Sequence, residues 1–239
     1  VIKLNSNNEG YNHFIERLKR IAWNKILDQP SIRNYVTTSV RQDLSEFIRQ
    51  KGDMDFTKRN IQNIITELML NKQNIFFKCV IDVFENMCSY DKENKIHIEG
   101  WKTNSAYKVN KKVILPWAID YYNYGSDSFS TKYTERLNID DIDKAMCLVD
   151  GKSYDSIYTI TEALESSFSK VRRQGYKNGT NNKCDSLYFN IKFFKKGTLH
   201  LQFKDDKVWE QFNIMAAQGK NWIGTEDHEQ QEFRLMLNN

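Results

Sequence analysis

The chain has 239 residues and a net charge of +4, with 40% apolar and 28% charged residues, which is the composition of a folded protein and not of a disordered tail. No apolar run approaches the ~20 residues a membrane-spanning helix needs, and the N-terminus lacks the basic, apolar and small-residue order of a secretion signal, so no membrane partner and a cytoplasmic location are expected. Cys79, Cys88, Cys147 and Cys184 form no CxxC pair and read as buried free thiols instead of disulfides or a zinc site.

Four helices are predicted first. Phe14, Leu18, Ile21, Ala22 and Ile26 recur at helical spacing up to Pro30, and a second helix capped by Ser31 carries Tyr35, Val36, Val40, Leu44, Phe47 and Ile48 up to Gly52. A third starts at the Thr57 cap with Ile61, Ile64, Ile65, Leu68 and Met69, and a fourth, capped by Asn74, carries Phe77, Val80, Ile81, Phe84 and Cys88. These stripes are expected to be core faces. Past Tyr90 the pattern turns to short strands, Lys95 to Ile98 and Val109 to Leu115, the second closed by Pro116. The aromatics Trp117, Tyr121, Tyr122 and Tyr124 lead through a Ser-rich turn to a helix near Ile139 to Leu148. A further helix runs from near Ser156 to Gly175.

The stretch 186–204 carries the strongest local signal. Pairing Phe193 with Leu199, Ile191 with Leu201 and Phe189 with Phe203 puts the bulky apolar residues on one face and leaves Lys195-Lys196-Gly197 as the loop. The other face then holds Tyr188, Asn190, Lys192, His200, Gln202 and Lys204. A last amphipathic helix with Val208, Trp209, Phe212, Met215 and Ala216 ends at Gly219. The expected fold is α+β: an N-terminal helical bundle (1–90), then a small antiparallel sheet packed with helices (91–224), then a polar tail (225–239).

Charge is segregated along the chain. Residues 100–119 hold four lysines and no acid, and residues 170–204 hold nine Lys or Arg against Asp185 alone, while 120–165 carry ten acids and four bases. Such segregation suits a directed anionic partner. Lysines interleaved with aromatics and amides suit nucleic acid, since they neutralise phosphates beside groups that stack on or bond to bases. The candidate contacts are Lys102, Lys108, Lys111, Lys112, Arg172, Arg173, Lys192, Lys195 and Lys196 for phosphates, with Asn104, Tyr107 and His200 for base or sugar. His200 stands opposite Lys192 in the deduced register, and the neighbouring ammonium disfavours its protonation.

No catalytic residue, metal site or cofactor is expected. GxGxxG, GxxxxGK[ST], HExxH and GxSxG are absent from the sequence, and Asp140, Asp141 and Asp143 read as acids at a helix N-terminus. The motifs Glu99-Gly-Trp-Lys-Thr-Asn104, Tyr107-Lys-Val-Asn-Lys-Lys-Val-Ile-Leu-Pro116, Lys195-Lys-Gly-Thr-Leu-His-Leu201 and Phe212-Asn-Ile-Met-Ala-Ala-Gln-Gly-Lys-Asn-Trp222 resemble the bacterial and phage family called domain of unknown function 4942. The resemblance implies association with SAM-dependent adenine-specific DNA methyltransferases, to which such modules are attached, or with phages and mobile elements. The chain lacks the [DN]PP[YFW] tetrapeptide of such an enzyme, its two prolines being Pro30 and Pro116. The expected function is therefore a non-catalytic DNA-binding or target-recognition module, with DNA and a methyltransferase domain or subunit as partners. A protein-interaction module in phage-host conflict and a nuclease or nucleotide-processing enzyme are the alternatives.

Overall fold

In the computed structural model, which describes residues 8–50, 55–98 and 106–223, eight helices and eight strands form an α+β protein. Helices α1 (Asn8–Leu27), α2 (Pro30–Arg33), α3 (Thr38–Gln50), α4 (Lys58–Leu70) and α5 (Lys72–Tyr90) come first. The Thr57 cap forms as expected, its hydroxyl accepting from the Asn60 amide at 3.2 Å. The second predicted helix is instead split. Pro30 opens the four-residue α2, whose fixed φ suits a first turn, and α3 starts afresh at Thr38. Asn74 lies inside α5, which follows α4 after Asn71 alone.

The stripe on α1 meets the core only at its C-terminal end, where Ala22 and Ile26 are half-buried and Ile26 packs against the N-terminal cluster. Phe14, Leu18 and Ile21 are about half exposed, and the buried positions are Trp23 and Leu27. Trp23, Leu27, Val36, Val40, Leu44, Ile48, Ile64 and Cys79 form a small cluster among the N-terminal helices. On α5 the successive pairs Cys79-Val80, Val83-Phe84 and Met87-Cys88 are all buried. Cys79 belongs to that N-terminal cluster while Val80, Val83, Phe84, Met87 and Cys88 belong to the main core, so α5 serves both.

A 3-10 turn at Lys92–Asn94 leads to β1 (Lys95–His97), which pairs with β2 (Tyr107–Val109). The predicted strand from Val109 to Leu115 is broken at Asn110-Lys111, and its second half, β3 (Lys112–Leu115), enters a different sheet. The Trp117 to Thr131 stretch contains a hairpin that its serines concealed, β4 (Ile119–Asn123) with β5 (Asp127–Thr131). Helices α6 (Tyr133–Asp150) and α7 (Ile160–Gln174) follow. Gly151 closes α6 in the left-handed conformation, φ +68°, and Thr159 with Glu162 makes a capping box at the start of α7.

Asp140, Asp141 and Asp143 lie in the middle of α6, not at its N-terminus, and their acceptors serve other helices. Asp141 Oδ2 accepts from the Thr38 amide at 2.7 Å, and Asp143 Oδ2 accepts from the Ile160 amide at 2.6 Å. These are the first residues of α3 and α7, where amides have no intrahelical acceptor. Thr161, in the first turn of α7, donates its hydroxyl to Asp140 at 2.7 Å. Burial raises the Asp143 carboxyl well above the ordinary carboxylate range, and burial also raises that of Asp140.

The main sheet is antiparallel throughout, in the order β3-β8-β7-β6, with β6 at Lys183–Asp185, β7 at Phe189–Phe193 and β8 at Leu199–Phe203. The hairpin register is the one read from the sequence, with Phe189, Ile191 and Phe193 opposite Phe203, Leu201 and Leu199. Gly197 has φ +85°, and a Cβ there would sit 2.8 Å from the Ile119 carbonyl oxygen. Glycine is therefore needed both for the turn and for the approach of the hairpin tip to β4. The inner face, with Val113 and Leu115 added from β3, joins one core with α5, α6, α7 and α8 (Asp206–Gly219). Phe193 meets Phe168 of α7 and Phe129 of β5 edge-on, with centroids 5.0 and 5.1 Å apart. Among the described residues no helix is long and apolar enough to cross a membrane.

Candidate nucleic-acid interface

Alternation along a strand sends every second side chain to the opposite side of the sheet, so the positions between the buried residues of β3, β8, β7 and β6 share one outer face. The pairings arrange them in two rows. One runs Ile114, His200, Lys192, Lys183, and the other runs Lys112, Gln202, Asn190, Asp185. Ile114 and His200 are half-buried and the other six are exposed.

Lys183 stands directly opposite Lys192, with His200 as the next neighbour in the row. Like charges paired across strands destabilise a sheet. None of Lys112, Lys183, Lys192 and Lys196 has an ion-pair partner among the described residues, and Asp185 is the one acid in the two rows. Burial lowers the His200 pKa below its ordinary value, and Lys112 and Lys192 lower it further. The imidazole is thus neutral at neutral pH. Its ring lies 4.7 Å from that of Phe194. A shallow groove of about 400 Å³ at this end of the face is lined by Tyr176, Phe194, Lys195, Lys196, Thr198 and His200. Aromatic rings beside cations are the elements of a platform for unpaired bases.

The structure brings together Lys112, Lys192, Lys196 and His200 from the predicted set and disperses the rest. Lys195 lies at the same hairpin tip but is held internally. Its ammonium pairs with Asp127 at 2.7 Å, donates to the Tyr121 hydroxyl at 2.8 Å, and lies over the rings of Tyr121 and Tyr176. The hydrogen bonds from Lys195 and Tyr121 hold the Asp127 carboxyl down, to about 2. Lys111 pairs with Asp206 at 2.9 Å and lies over the Trp209 ring.

Lys108 is only 6% exposed, with its ammonium 5.2 Å from the Trp209 ring centre, and burial lowers its pKa. As placed it does not meet a phosphate backbone. Tyr107 is also a packing residue, stacked on Phe84 at 5.4 Å and edge-on to Trp222 at 4.9 Å. Arg172 and Arg173 are exposed on α7, the helix that covers the inner face, and belong to another surface. Arg172 donates to the Ser128 hydroxyl at 3.0 Å. Lys102 and Asn104 lie outside the described residues.

Tyr188, expected on the polar face, is buried, with its hydroxyl donating to Asp150 at 3.2 Å. Lys183 was absent from the expected set because Lys183-Cys184-Asp185 has a single apolar residue and reads as loop. Its one sequence signal is period two, with the apolar Cys184 between two charges.

Two side-chain clamps hold β3 and the end of β2 that precedes it. Asn94, fully buried, donates to the carbonyls of Met87 and Ile114, both at 2.8 Å, and accepts from the Ile114 amide at 2.7 Å. It thereby satisfies the free edge of β3 and ties it to the end of α5. Asn213 of α8 accepts from the Val109 amide at 2.7 Å, and the Trp209 indole donates to the Val109 carbonyl at 2.9 Å.

The family model called domain of unknown function (DUF4942) matches residues 15–222, most of the chain. The chain belongs to the DUF4942 family. The matched span of this DUF4942 protein includes all eight strands and α8, so the lysine-bearing face lies wholly within it. No curated protein sequence and no solved structure matches the chain significantly.

Proposed function

We propose that the outer face of the four-stranded sheet binds DNA, and that the chain is a non-catalytic DNA-contacting module acting with a DNA-modifying enzyme such as an adenine methyltransferase. The observation that carries this reading is the cross-strand pair of Lys183 and Lys192 with His200 beside it and Lys112 one row away, a face on which Asp185 is the one acid. A phosphate backbone relieves the repulsion within such a row and releases counterions as it docks. Lys112, Lys183, Lys192 and Lys196 supply sequence-independent phosphate contacts in this reading. His200, Asn190 and Gln202 offer hydrogen-bonding groups to sugar or base edges, and the Phe194 end of the face offers stacking.

Proton linkage gives the reading its own test. In the free protein the folded His200 pKa lies below 6.5, so its stabilising contribution is full above the unfolded value and is lost as pH falls through 6.5 toward the folded value. A bound phosphate favours the imidazolium and raises that pKa, so binding takes up a proton. Affinity for a labelled duplex, followed by fluorescence anisotropy at 50 mM salt, is expected to rise as pH falls from about 7.5 to about 5.5, by no more than about tenfold per pH unit, the limit for uptake of one proton. His200→Ala should flatten this dependence while retaining most affinity at pH 7.5. Failure of the wild-type protein to bind duplex or single-stranded DNA at low salt contradicts the reading.

A further inference from the structure

A second electropositive feature lies far along the chain from the sheet, between α1 and α3. There an open groove of about 560 Å³ is lined by five Lys or Arg side chains against Glu16 and Glu46, with Trp23 and Ile48 among its apolar residues. Three of the five cations are engaged. Arg49 donates to both Glu46 carboxylate oxygens, at 2.8 and 2.7 Å, Lys19 pairs with Asp55 at 2.6 Å, and Arg41 pairs with Asp28. Arg17 and Arg20 are exposed on α1 and have no ion-pair partner among the described residues. The Arg41 Nε is buried and donates to no described acceptor, so that guanidinium is not fully satisfied by Asp28.

Residues three apart on a helix have Cβ atoms about 5–6 Å from one another, which sets the heads of Arg17 and Arg20 within reach of successive phosphoryl groups. Guanidinium forks match phosphate oxygens two at a time and are not interchangeable with ammonium groups in this respect. The concavity and size suit a small ligand, whereas a duplex calls for an extended surface. The amide and hydroxyl groups of Asn24, Gln42 and Ser45 also line the groove and provide donors and acceptors for a sugar or base.

We propose that the α1/α3 groove binds the phosphates of a nucleotide-sized ligand, with Arg17 and Arg20 as the principal phosphate contacts. Two sources present this chemistry, a free nucleoside polyphosphate and the 5′-phosphate end of a strand. Isothermal titration calorimetry with sodium tripolyphosphate, ATP and a 5′-phosphorylated thymidine dinucleotide separates them. The expected result is saturable binding of at least one of these probes by the wild-type protein. That binding should be weakened tenfold or more in Arg17→Ala/Arg20→Ala and unchanged in Lys112→Ala/Lys183→Ala/Lys192→Ala. Binding of ATP marks the free nucleotide, and binding of the dinucleotide without ATP marks the strand end. Both arginines are exposed, so the double variant should melt with the wild-type protein. No binding of any probe, or binding undiminished in the double arginine variant, overturns the proposal.

Discussion

Lys112→Ala/Lys183→Ala/Lys192→Ala should lose about two orders of magnitude in affinity for DNA at 0.1 M salt and keep its fold. Each phosphate neutralised on a duplex contributes about −0.9 to the slope of log K against log salt, so three lost contacts should flatten the slope by about 2.7. All three side chains are exposed and have no ion-pair partner among the described residues. Removing Lys183 and Lys192 also relieves a like-charge cross-strand pair. The melting temperature should therefore hold or rise slightly. Anisotropy titrations at several salt concentrations, with melting curves on the same samples, check both halves of this expectation. An unchanged salt slope would place the DNA contacts elsewhere.

The second large effect is on the fold. Asn94→Ala should cost about 2–4 kcal/mol, because it leaves the Ile114 amide and carbonyl and the Met87 carbonyl without their side-chain partner at a fully buried position. The loss falls on the edge of β3, the strand that brings Lys112 beside His200 and Gln202. Urea unfolding should show the lower midpoint, and DNA affinity should fall although no residue of the proposed face has changed. Asn94→Asp keeps the acceptor for the Ile114 amide and removes both donors, so it should also be destabilising. Wild-type stability in Asn94→Ala would mean that this clamp does not hold β3.

The hairpin was legible because its information is local. Period-two alternation on both sides of a three-residue loop admits one register that keeps Phe189, Ile191, Phe193, Leu199, Leu201 and Phe203 on one side. The helices of the N-terminal region and the α+β class were legible for the same reason. What sequence alone did not disclose is long-range. Nothing near Lys112 says that its strand leaves β2 and joins β8, about 90 positions away, and the contacts that hold β3 and the preceding Val109 come from the side chains of Asn94, Trp209 and Asn213. Lys108 and Tyr107 sit in a lysine-rich, aromatic segment that has the composition of a surface, yet tertiary packing buries Lys108 against Trp209 and stacks Tyr107 on Phe84. Lys195 belongs to the best-read loop and is withdrawn from the candidate face by Asp127, 68 positions earlier.

The stripe on α1 shows the complementary error. Its spacing is helical and α1 is a helix, but periodicity reports that a face is apolar and not what covers it. Trp23 and Leu27 turn out to be the buried positions, while Phe14, Leu18 and Ile21 stay 45–55% exposed and Ala22 and Ile26 are half-buried. The acids of α6 carry a related lesson. Acceptors are needed at helix N-termini, and this chain supplies them to α3 and α7 from the middle of a third helix.

Lysine footprinting tests the DNA-binding face most directly. The protein is acetylated with and without a saturating duplex at low salt, and modification is read residue by residue by mass spectrometry. DNA should protect Lys112, Lys183, Lys192 and Lys196 severalfold, and leave Lys220, which pairs with Glu85 of α5, and Lys144, on α6, unaffected. Unaltered acetylation of those four lysines in the DNA-bound protein would contradict the assignment of DNA to the outer face of the sheet.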